Sequence, residues 1–362
     1  MPQRINLSSL NKQQLSGFCN DLNLQRYRSD QIFQWIYARN AGSFEEMSNL
    51  PKSLRKLLSG KAKLLGSVLS SENRSKDGTI KCLFRLNDNK LVEAVLIPEF
   101  FDDGVADRLT VCVSSQVGCV FGCSFCATGK MGLFRNLTVG EIVGQVLSMN
   151  LIAEQTYGKR ITNIVYMGMG EPFHNYFPVV DSAGILCDPL SLNLSPKRIT
   201  ISTVGLTKQL HRYADEKQPY PLAISLHAAD DDKRNRIMPI NKSMDLSALK
   251  IAIEHYYRKL HQQITYEYLL FDRFNDNPED ARNLAKITHW VPSKVNIIMY
   301  NDVEGVTLHR AKEDRLNRFM VELRRLEVRA TVRRSRGNDI DAGCGQLAIR
   351  NQHEAGKTIA KT

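Results

Sequence analysis

The sequence predicts an α/β protein, an incomplete barrel of parallel strands preceded by a small helical domain and a β-hairpin. Three observations predict it. From about residue 110 to residue 333, short β-branched runs alternate with longer stretches of helical period, the pattern of a parallel sheet with crossover helices. Ahead of that region, residues 1–64 carry helical spacing. Residues 65–98 then switch to the period of two that marks strands with one buried face.

Within residues 1–64, the segment opening on Ser29 and Asp30 begins with cap-type residues. It places Ile32, Trp35 and Ile36 on one helical face. The hairpin is read from Thr79-Ile-Lys-Cys-Leu-Phe-Arg-Leu and Leu91-Val-Glu-Ala-Val-Leu-Ile, joined by the polar turn Asn87-Asp-Asn-Lys. Residues 100–107 read as a small acidic loop. Strands are then expected at 110–115, 161–167, 199–203, 222–226, 264–270, 295–299 and 328–333. Helices are expected at 138–153, where Thr138 and Glu141 form a capping box, and at 246–261. Six or seven parallel strands fall short of a closed barrel of eight, so the barrel is open on one side, with its site at the C-terminal strand ends. The division that follows is 1–64 helical, 65–104 hairpin, 105–347 barrel and 348–362 a polar tail.

Hydrophobic residues at 43% and charged residues at 24% are ordinary for a globular chain and exclude a disordered one. The N-terminus has no apolar core of a signal peptide, and no run reaches the roughly 18 apolar residues of a membrane span, so no membrane association and a cytoplasmic location are expected. Eight cysteines are too few for a disulfide scaffold at this length. Of these, Cys19, Cys82 and Cys187 read as small buried hydrophobes. A net charge of +11 points to a polyanionic partner. Arg324, Arg325, Arg329, Arg333, Arg334 and Arg336 concentrate that charge late in the chain, although alternation along 328–333 equally fits a strand with one solvated face.

Three cysteines lie within eight residues, in Cys119-Val-Phe-Gly-Cys123-Ser-Phe-Cys126. Soft thiolates gathered on one loop suit an iron-sulfur cluster or zinc. Cys112 could complete a four-cysteine zinc site, but such sites usually draw on two short ligand pairs, whereas here three ligands are clustered and the fourth stands alone. A cubane held by three cysteines keeps one iron open for chemistry. This spacing, with Phe125 before the last cysteine, resembles the radical S-adenosylmethionine (SAM) superfamily. The resemblance implies a 4Fe-4S cluster on Cys119, Cys123 and Cys126, with SAM chelated to the fourth iron and cleaved to a 5'-deoxyadenosyl radical.

Met167-Gly-Met-Gly-Glu-Pro172 follows the second barrel strand, where its glycines permit close backbone approach and Glu171 can accept hydrogen bonds from an ammonium group. Ser202, Ser225, His227 and Asn301 recur at later strand ends, as expected of a ring of ligand contacts. Cys344 lies in a Gly-flanked, flexible-looking segment after the last strand. To act as a nucleophile it needs a neighbouring cation or donor, for which Arg336 is a candidate.

Five segments in order resemble the RlmN/Cfr family of radical SAM RNA methyltransferases over nearly the whole chain. They are Val92-Glu-Ala-Val, Cys112-Val-Ser-Ser-Gln-Val-Gly-Cys119, Arg135-Asn-Leu-Thr, Gly168-Met-Gly-Glu-Pro and Gly337-Asn-Asp-Ile-Asp-Ala-Gly-Cys344-Gly-Gln-Leu. The resemblance implies a partial (β/α)6 radical SAM barrel, with the helical N-terminal domain as an RNA-binding accessory. It implies methylation of adenosine C2 in 23S rRNA and in tRNA beside the anticodon, by a monomer using two SAM per turnover. The near alternative is a Cfr-like C8 enzyme conferring antibiotic resistance, and a more distant one is a non-catalytic iron-sulfur RNA-binding protein.

By the same resemblance, Cys344 carries the methyl group, Glu93 removes the ring proton, and Cys112 resolves the protein-RNA adduct to leave a disulfide. Gly170, Glu171, Ser202, Ser225, Leu226, His227 and Asn301 surround SAM. A thiol reductant and an electron donor for the cluster are implied partners. The chain departs from the family in reading Tyr300-Asn301-Asp302 where Trp-Asn-Pro or Tyr-Asn-Pro is common, and Gly343 where Ala often precedes the carrier cysteine.

Overall fold

In the computed structural model, residues 4–64, 66–101 and 104–349 are described. Most of the expected tail at 348–362 therefore lies outside the described residues. Three helices build the N-terminal unit: α1 (Lys12–Asp21), α2 (Tyr27–Tyr37) and α3 (Lys52–Lys61). The reciprocal Asn11–Gln14 capping box starts α1. The second helix begins two residues before the expected Ser29, whose hydroxyl donates back to the Arg26 carbonyl at 2.7 Å and so lies inside the first turn. Leu15, Phe18, Ile32, Phe33, Ile36, Leu54 and Leu58 pack between the helices. Two-residue strands β1 (Ile5–Asn6) and β2 (Ala62–Lys63) pair in parallel and tie the unit's ends together.

The hairpin is part of the main sheet. Strands β3 (Val68–Arg74), β4 (Ile80–Arg85), β5 (Leu91–Phe100) and β6 (Ala106–Cys112) are antiparallel neighbours. The expected loop at 100–107 is thereby shortened, because β5 and β6 pair almost to its tip. Next come β7 (Gln116–Gly118) and β8 (Leu133–Asn136), a small antiparallel pair flanking the cysteine loop and the four-residue helix α4 (Ala127–Lys130).

Strand and helix then alternate as α5 (Val139–Tyr157), β9 (Asn163–Tyr166), α6 (Tyr176–Cys187), β10 (Ile199–Thr203), α7 (Thr207–Asp215), β11 (Leu222–Ser225), α8 (Asp231–Ile237), α9 (Leu246–Leu260), β12 (Ile264–Leu270), α10 (Pro278–Thr288), β13 (Ser293–Met299), α11 (Glu313–Arg325) and β14 (Ala330–Arg333). The ten-stranded sheet runs β14-β13-β12-β11-β10-β9-β6-β5-β4-β3. Seven strands, β6 and β9 to β14, are mutually parallel and form the partial barrel, and the hairpin extends its edge. The Thr138–Glu141 capping box starts α5 as expected.

Register fixes what points inward, because side chains alternate along each strand. One layer pairs Ser225 with Glu267, Glu267 with Asn296 and Asn296 with Thr331. The next pairs Leu269 with Ile298 and Ile298 with Arg333. On the other side of the barrel Cys112 is level with Val165. Cys19 and Cys82 are fully buried, as small hydrophobes should be, whereas Cys187 is only half-buried.

Candidate active site

The cysteine loop closes over the C-terminal mouth of the barrel and is held from four sides. The Cys119 N–H donates to the Gly132 carbonyl at 3.0 Å and the Ser124 N–H to the Ile237 carbonyl at 3.0 Å. The Tyr300 hydroxyl donates to the Phe125 carbonyl at 3.1 Å, and the Ala127 N–H to the Gly345 carbonyl at 2.8 Å. Beneath the loop is a cleft of about 140 Å³, open to solvent. Cys119, Cys123, Cys126, Gly170, Glu171, Ser202, Ser225, His227 and Cys344 line it.

Burial pushes the Cys119 thiol up to about 12 and the Cys123 thiol higher still, with the neighbouring cysteines adding to it. Such thiols hold their protons until a metal displaces them. Among the described residues no group of three or more His, Cys, Asp or Glu converges on a single metal ion. A cubane makes no such demand, since each cysteine binds a different iron. Three half-buried or buried thiols facing one cleft fit a 4Fe-4S cluster as a donor set.

The Gly-Glu turn forms the opposing wall. A Cβ on Gly168 would meet the Val113 carbonyl oxygen at 2.6 Å, and Gly170, at φ +101°, leaves no room beside Gln116. Glu171 accepts from the Phe173 N–H at 3.0 Å and the Val204 N–H at 3.0 Å, yet burial raises its carboxyl to about 7. His227, at φ +56°, accepts the Leu269 N–H at Nδ1 (3.2 Å), which assigns its remaining proton to Nε2. Burial, reinforced by Arg234, lowers its pKa to about 3, so it is a neutral ligand group.

Glu171 gives a signed pH prediction. A carboxyl raised in the fold from 4.5 to about 7 contributes stability that is complete below the unfolded pKa and is lost as pH rises through the folded one. Cluster-free protein should lose about 3 kcal/mol across that window through this group. Glu171→Gln should flatten the corresponding slope in urea unfolding, and an unchanged slope would refute the assignment.

Other expected residues are brought near the cleft without lining it. Leu226 is fully buried, and its backbone lies between the Glu267 carbonyl, which accepts its N–H at 3.0 Å, and Arg234. Asn301 sits behind the Cys344 segment, its Nδ2 buried without a partner. A Cβ on Gly343 would lie 2.0 Å from that atom, which explains why this chain has glycine there. Glu93 lies at the strand end beyond Cys112, where Lys81 Nζ approaches at 3.3 Å and the Ala348 N–H donates at 3.0 Å. Burial raises its carboxyl against those two contacts.

The segment bearing Cys344, read as flexible, is anchored. The Gly337 N–H donates to Asp77 at 2.8 Å, Asp339 accepts from the Ser75 hydroxyl at 2.5 Å, and the Gly343 N–H donates to Gln346 at 3.0 Å. Cys344 also borders a second, smaller cavity together with Cys112 and Arg333. Burial raises the Cys344 thiol, and the cation that opposes that rise is Arg333, from the strand end, in place of the expected Arg336. The late arginines therefore do not form one basic face. Arg333 turns inward, Arg325 is paired with Glu322 at 2.7 Å, and Arg334 lies 3.5 Å from Glu313.

Comparison with known proteins accords with this geometry. The description "Radical SAM superfamily" matches residues 113–285, from the strand end before the cysteine loop into α10, so the fold is the radical SAM fold. "Ribosomal RNA large subunit methyltransferase N-terminal domain" matches residues 5–64. A Salinibacter ruber protein named "Probable dual-specificity RNA methyltransferase RlmN" is 49% identical over 95% of this chain and 94% of its own length. A Campylobacter fetus "Dual-specificity RNA methyltransferase RlmN" is 40% identical over 96% and 99%. The crystal structure of a radical SAM methyltransferase from Sphaerobacter thermophilus superposes with a TM-score of 0.88 at 41% identity, covering 95% of this chain and 99% of that one. The chain belongs to the RlmN family of radical SAM RNA methyltransferases. Among the described residues no helix is long and apolar enough to cross a membrane.

Proposed function

We propose that this chain methylates C2 of an adenosine in 23S rRNA, and of one in tRNA beside the anticodon, with Cys344 as methyl carrier and Cys112 as the resolving thiol. The observation that carries the reading is the position of Cys344. It lines both the cleft of three cysteines and the smaller cavity bordered by Cys112. A sulfur so placed faces both the source of its methyl group and the thiol that would release the product. The names of relatives as dual-specificity RNA methyltransferases support C2 over C8.

When bound, the 4Fe-4S cluster and two SAM per turnover supply a methyl donor and a 5'-deoxyadenosyl radical. Cys119, Cys123 and Cys126 would hold the cluster, and the Gly170-Glu171 turn would receive the SAM ammonium group. Ser202, Ser225, Leu226, His227 and Asn301 complete the SAM site. Cys344 takes up the methyl group whose carbon is delivered to adenine. Glu93, a buried carboxylate beside Lys81, accepts the ring proton. Cys112 then attacks the Cys344 sulfur, and the resulting disulfide is reduced by a thiol partner, as a reducing cytoplasm allows. An electron donor for the cluster would be a further partner.

The test is an anaerobic reaction of reconstituted protein with SAM, reductant and an rRNA fragment, read by nucleoside mass spectrometry. The expected product is 2-methyladenosine, lost entirely in Cys344→Ala. A product of 8-methyladenosine would move the chain to the C8 reaction. No methylated base from protein with an intact cluster would overturn the reading.

A further inference from the structure

Arg333 ends β14, and alternation in the sequence leaves it among the surface arginines. The register turns it inward, opposite Ile298, which itself lines the cleft. Its side chain stands between two cavities. One is a polar bore of about 320 Å³ lower in the barrel, lined by Glu99, Arg108, Glu267 and Lys294. The other, of about 80 Å³, is bordered by Cys112, Cys126, Gly343, Cys344 and Gly345.

Two other partly buried arginines sit on carboxylates. Arg315 is clamped by Asp276, and Arg135 by Asp88 and Glu141 at 2.8 Å each. Arg333 differs: among the described residues its guanidinium has no hydrogen bond and no ion pair, only longer-range attraction to Cys344, Glu267, Cys112 and Glu99. Glu267 does not reach it within ion-pair distance. One carboxylate oxygen of Glu267 accepts from Asn296 at 2.9 Å and the other is buried without a partner. A half-buried cation that touches neither an anion nor a hydrogen-bond acceptor is costly unless negative charge arises beside it during function. Three cysteines border its smaller cavity; Cys126 is assigned to the cluster, which leaves Cys112 and Cys344 as the groups that can carry such charge.

We propose that Arg333 is the positioning residue of the Cys112–Cys344 pair, a fixed positive charge that stabilises negative charge on each sulfur in turn. The inference rests on the reading of Cys344 as carrier and Cys112 as resolving thiol. In the first step an S–CH3 bond forms at Cys344 as the donor's sulfonium S–CH3 bond breaks, its electron pair staying on the departing sulfur. In the second, Cys112 forms an S–S bond to Cys344 as the Cys344 S–C bond breaks. The electron pair passes to the carbon, which takes up a proton. The two sulfurs are thereby oxidised to a disulfide, and a dithiol reductant restores them. Negative charge sits on Cys344 before the first step and on Cys112 before the second, and one guanidinium facing both serves both.

The experiment compares alkylation of Cys344 by anionic iodoacetate and neutral iodoacetamide at one neutral pH, in the full chain, by peptide mass spectrometry. A cation beside the sulfur accelerates the anionic reagent relative to the neutral one, a preference that a purely structural residue would not create. Arg333→Met should lower the iodoacetate-to-iodoacetamide rate ratio about tenfold, the scale of one nearby charge. Arg333→Lys should retain most of it, and Arg336→Met all of it. An unchanged ratio in folded Arg333→Met, or an equal fall in Arg336→Met, overturns the proposal. If Arg333→Met does not fold, the Lys variant decides: a ratio lowered tenfold despite retained charge also overturns it. Failure of the underlying reading is a separate result, Cys344→Ala protein that still methylates RNA.

Discussion

Gly118→Ala is expected to abolish iron binding, although residue 118 is not a ligand. Gly118 has φ +75°, a conformation that costs an alanine on the order of 1–3 kcal/mol. The larger obstacle is steric. A Cβ there would lie 1.8 Å from the Gly132 carbonyl oxygen and 3.0 Å from its carbon, both backbone atoms that no rotamer change can move. That same carbonyl accepts the N–H of Cys119, and Gly118 is in register with Leu133 across the β7–β8 pair. The methyl group must therefore unpair the hairpin that aims the first cysteine. The measurement is iron per chain after anaerobic reconstitution, with circular dichroism to show that the barrel persists. Wild-type iron content in a folded Gly118→Ala protein would refute the argument.

The barrel strands were legible because their residues have a single pattern to satisfy. Residues 199–203 and 264–270 are rich in β-branched and aromatic residues and largely buried on both faces, and the structure has strands at those same bounds. Where local pattern and tertiary pairing part company, sequence reading fails. All seven residues of β3 are exposed, so no buried face marks it, and it exists because β4 offers an edge. Likewise β7 and β8, of three and four residues, are stabilised by each other and by the loop they close. The hairpin's union with the barrel was hidden for another reason. The first six residues of β5 are buried, which shows that something covers them without showing what.

At the site, residue types with few alternative uses were readable, and those with many were not. Three clustered cysteines have little else to do, and a Gly-Glu turn after a strand is rare enough to notice. A lone arginine or glutamate in an alternating strand instead reads as a solvated face. Lys81, Glu267 and Arg333 were missed for that reason, although all three are turned toward the barrel or the Cys344 segment. Only register, which depends on partners far along the chain, distinguishes an inward arginine from an outward one.

Arg234 is the extreme case, and its removal should be among the most damaging single changes. It lies in the charged run Asp230-Asp-Asp-Lys-Arg234-Asn-Arg236, which resembles an ordinary surface helix, yet it is 1% exposed. Its guanidinium donates to the carbonyls of Val204 at 2.8 Å, Leu226 at 3.2 Å and Ser225 at 3.4 Å, and to the Asn241 side chain. Desolvation lowers its pKa to about 10, still well above neutrality, so the charge persists in the core. Those carbonyls belong to the ends of β10 and β11, where Ser202, Ser225 and His227 meet the cleft. Arg234→Met would remove the guanidinium from four acceptors, of which the Leu226 carbonyl keeps the Ala228 N–H, at a cost of about 3–5 kcal/mol in unfolding free energy. Because the loss falls on the strand ends themselves, SAM affinity should fall with stability. Arg234→Lys, which keeps the charge but cannot span three carbonyls, should lie between. Urea unfolding and equilibrium SAM binding on the same preparations test both consequences. A methionine variant within 1 kcal/mol of the parent, with SAM affinity unchanged, would mean that water can replace the guanidinium and that the strand ends hold their own geometry.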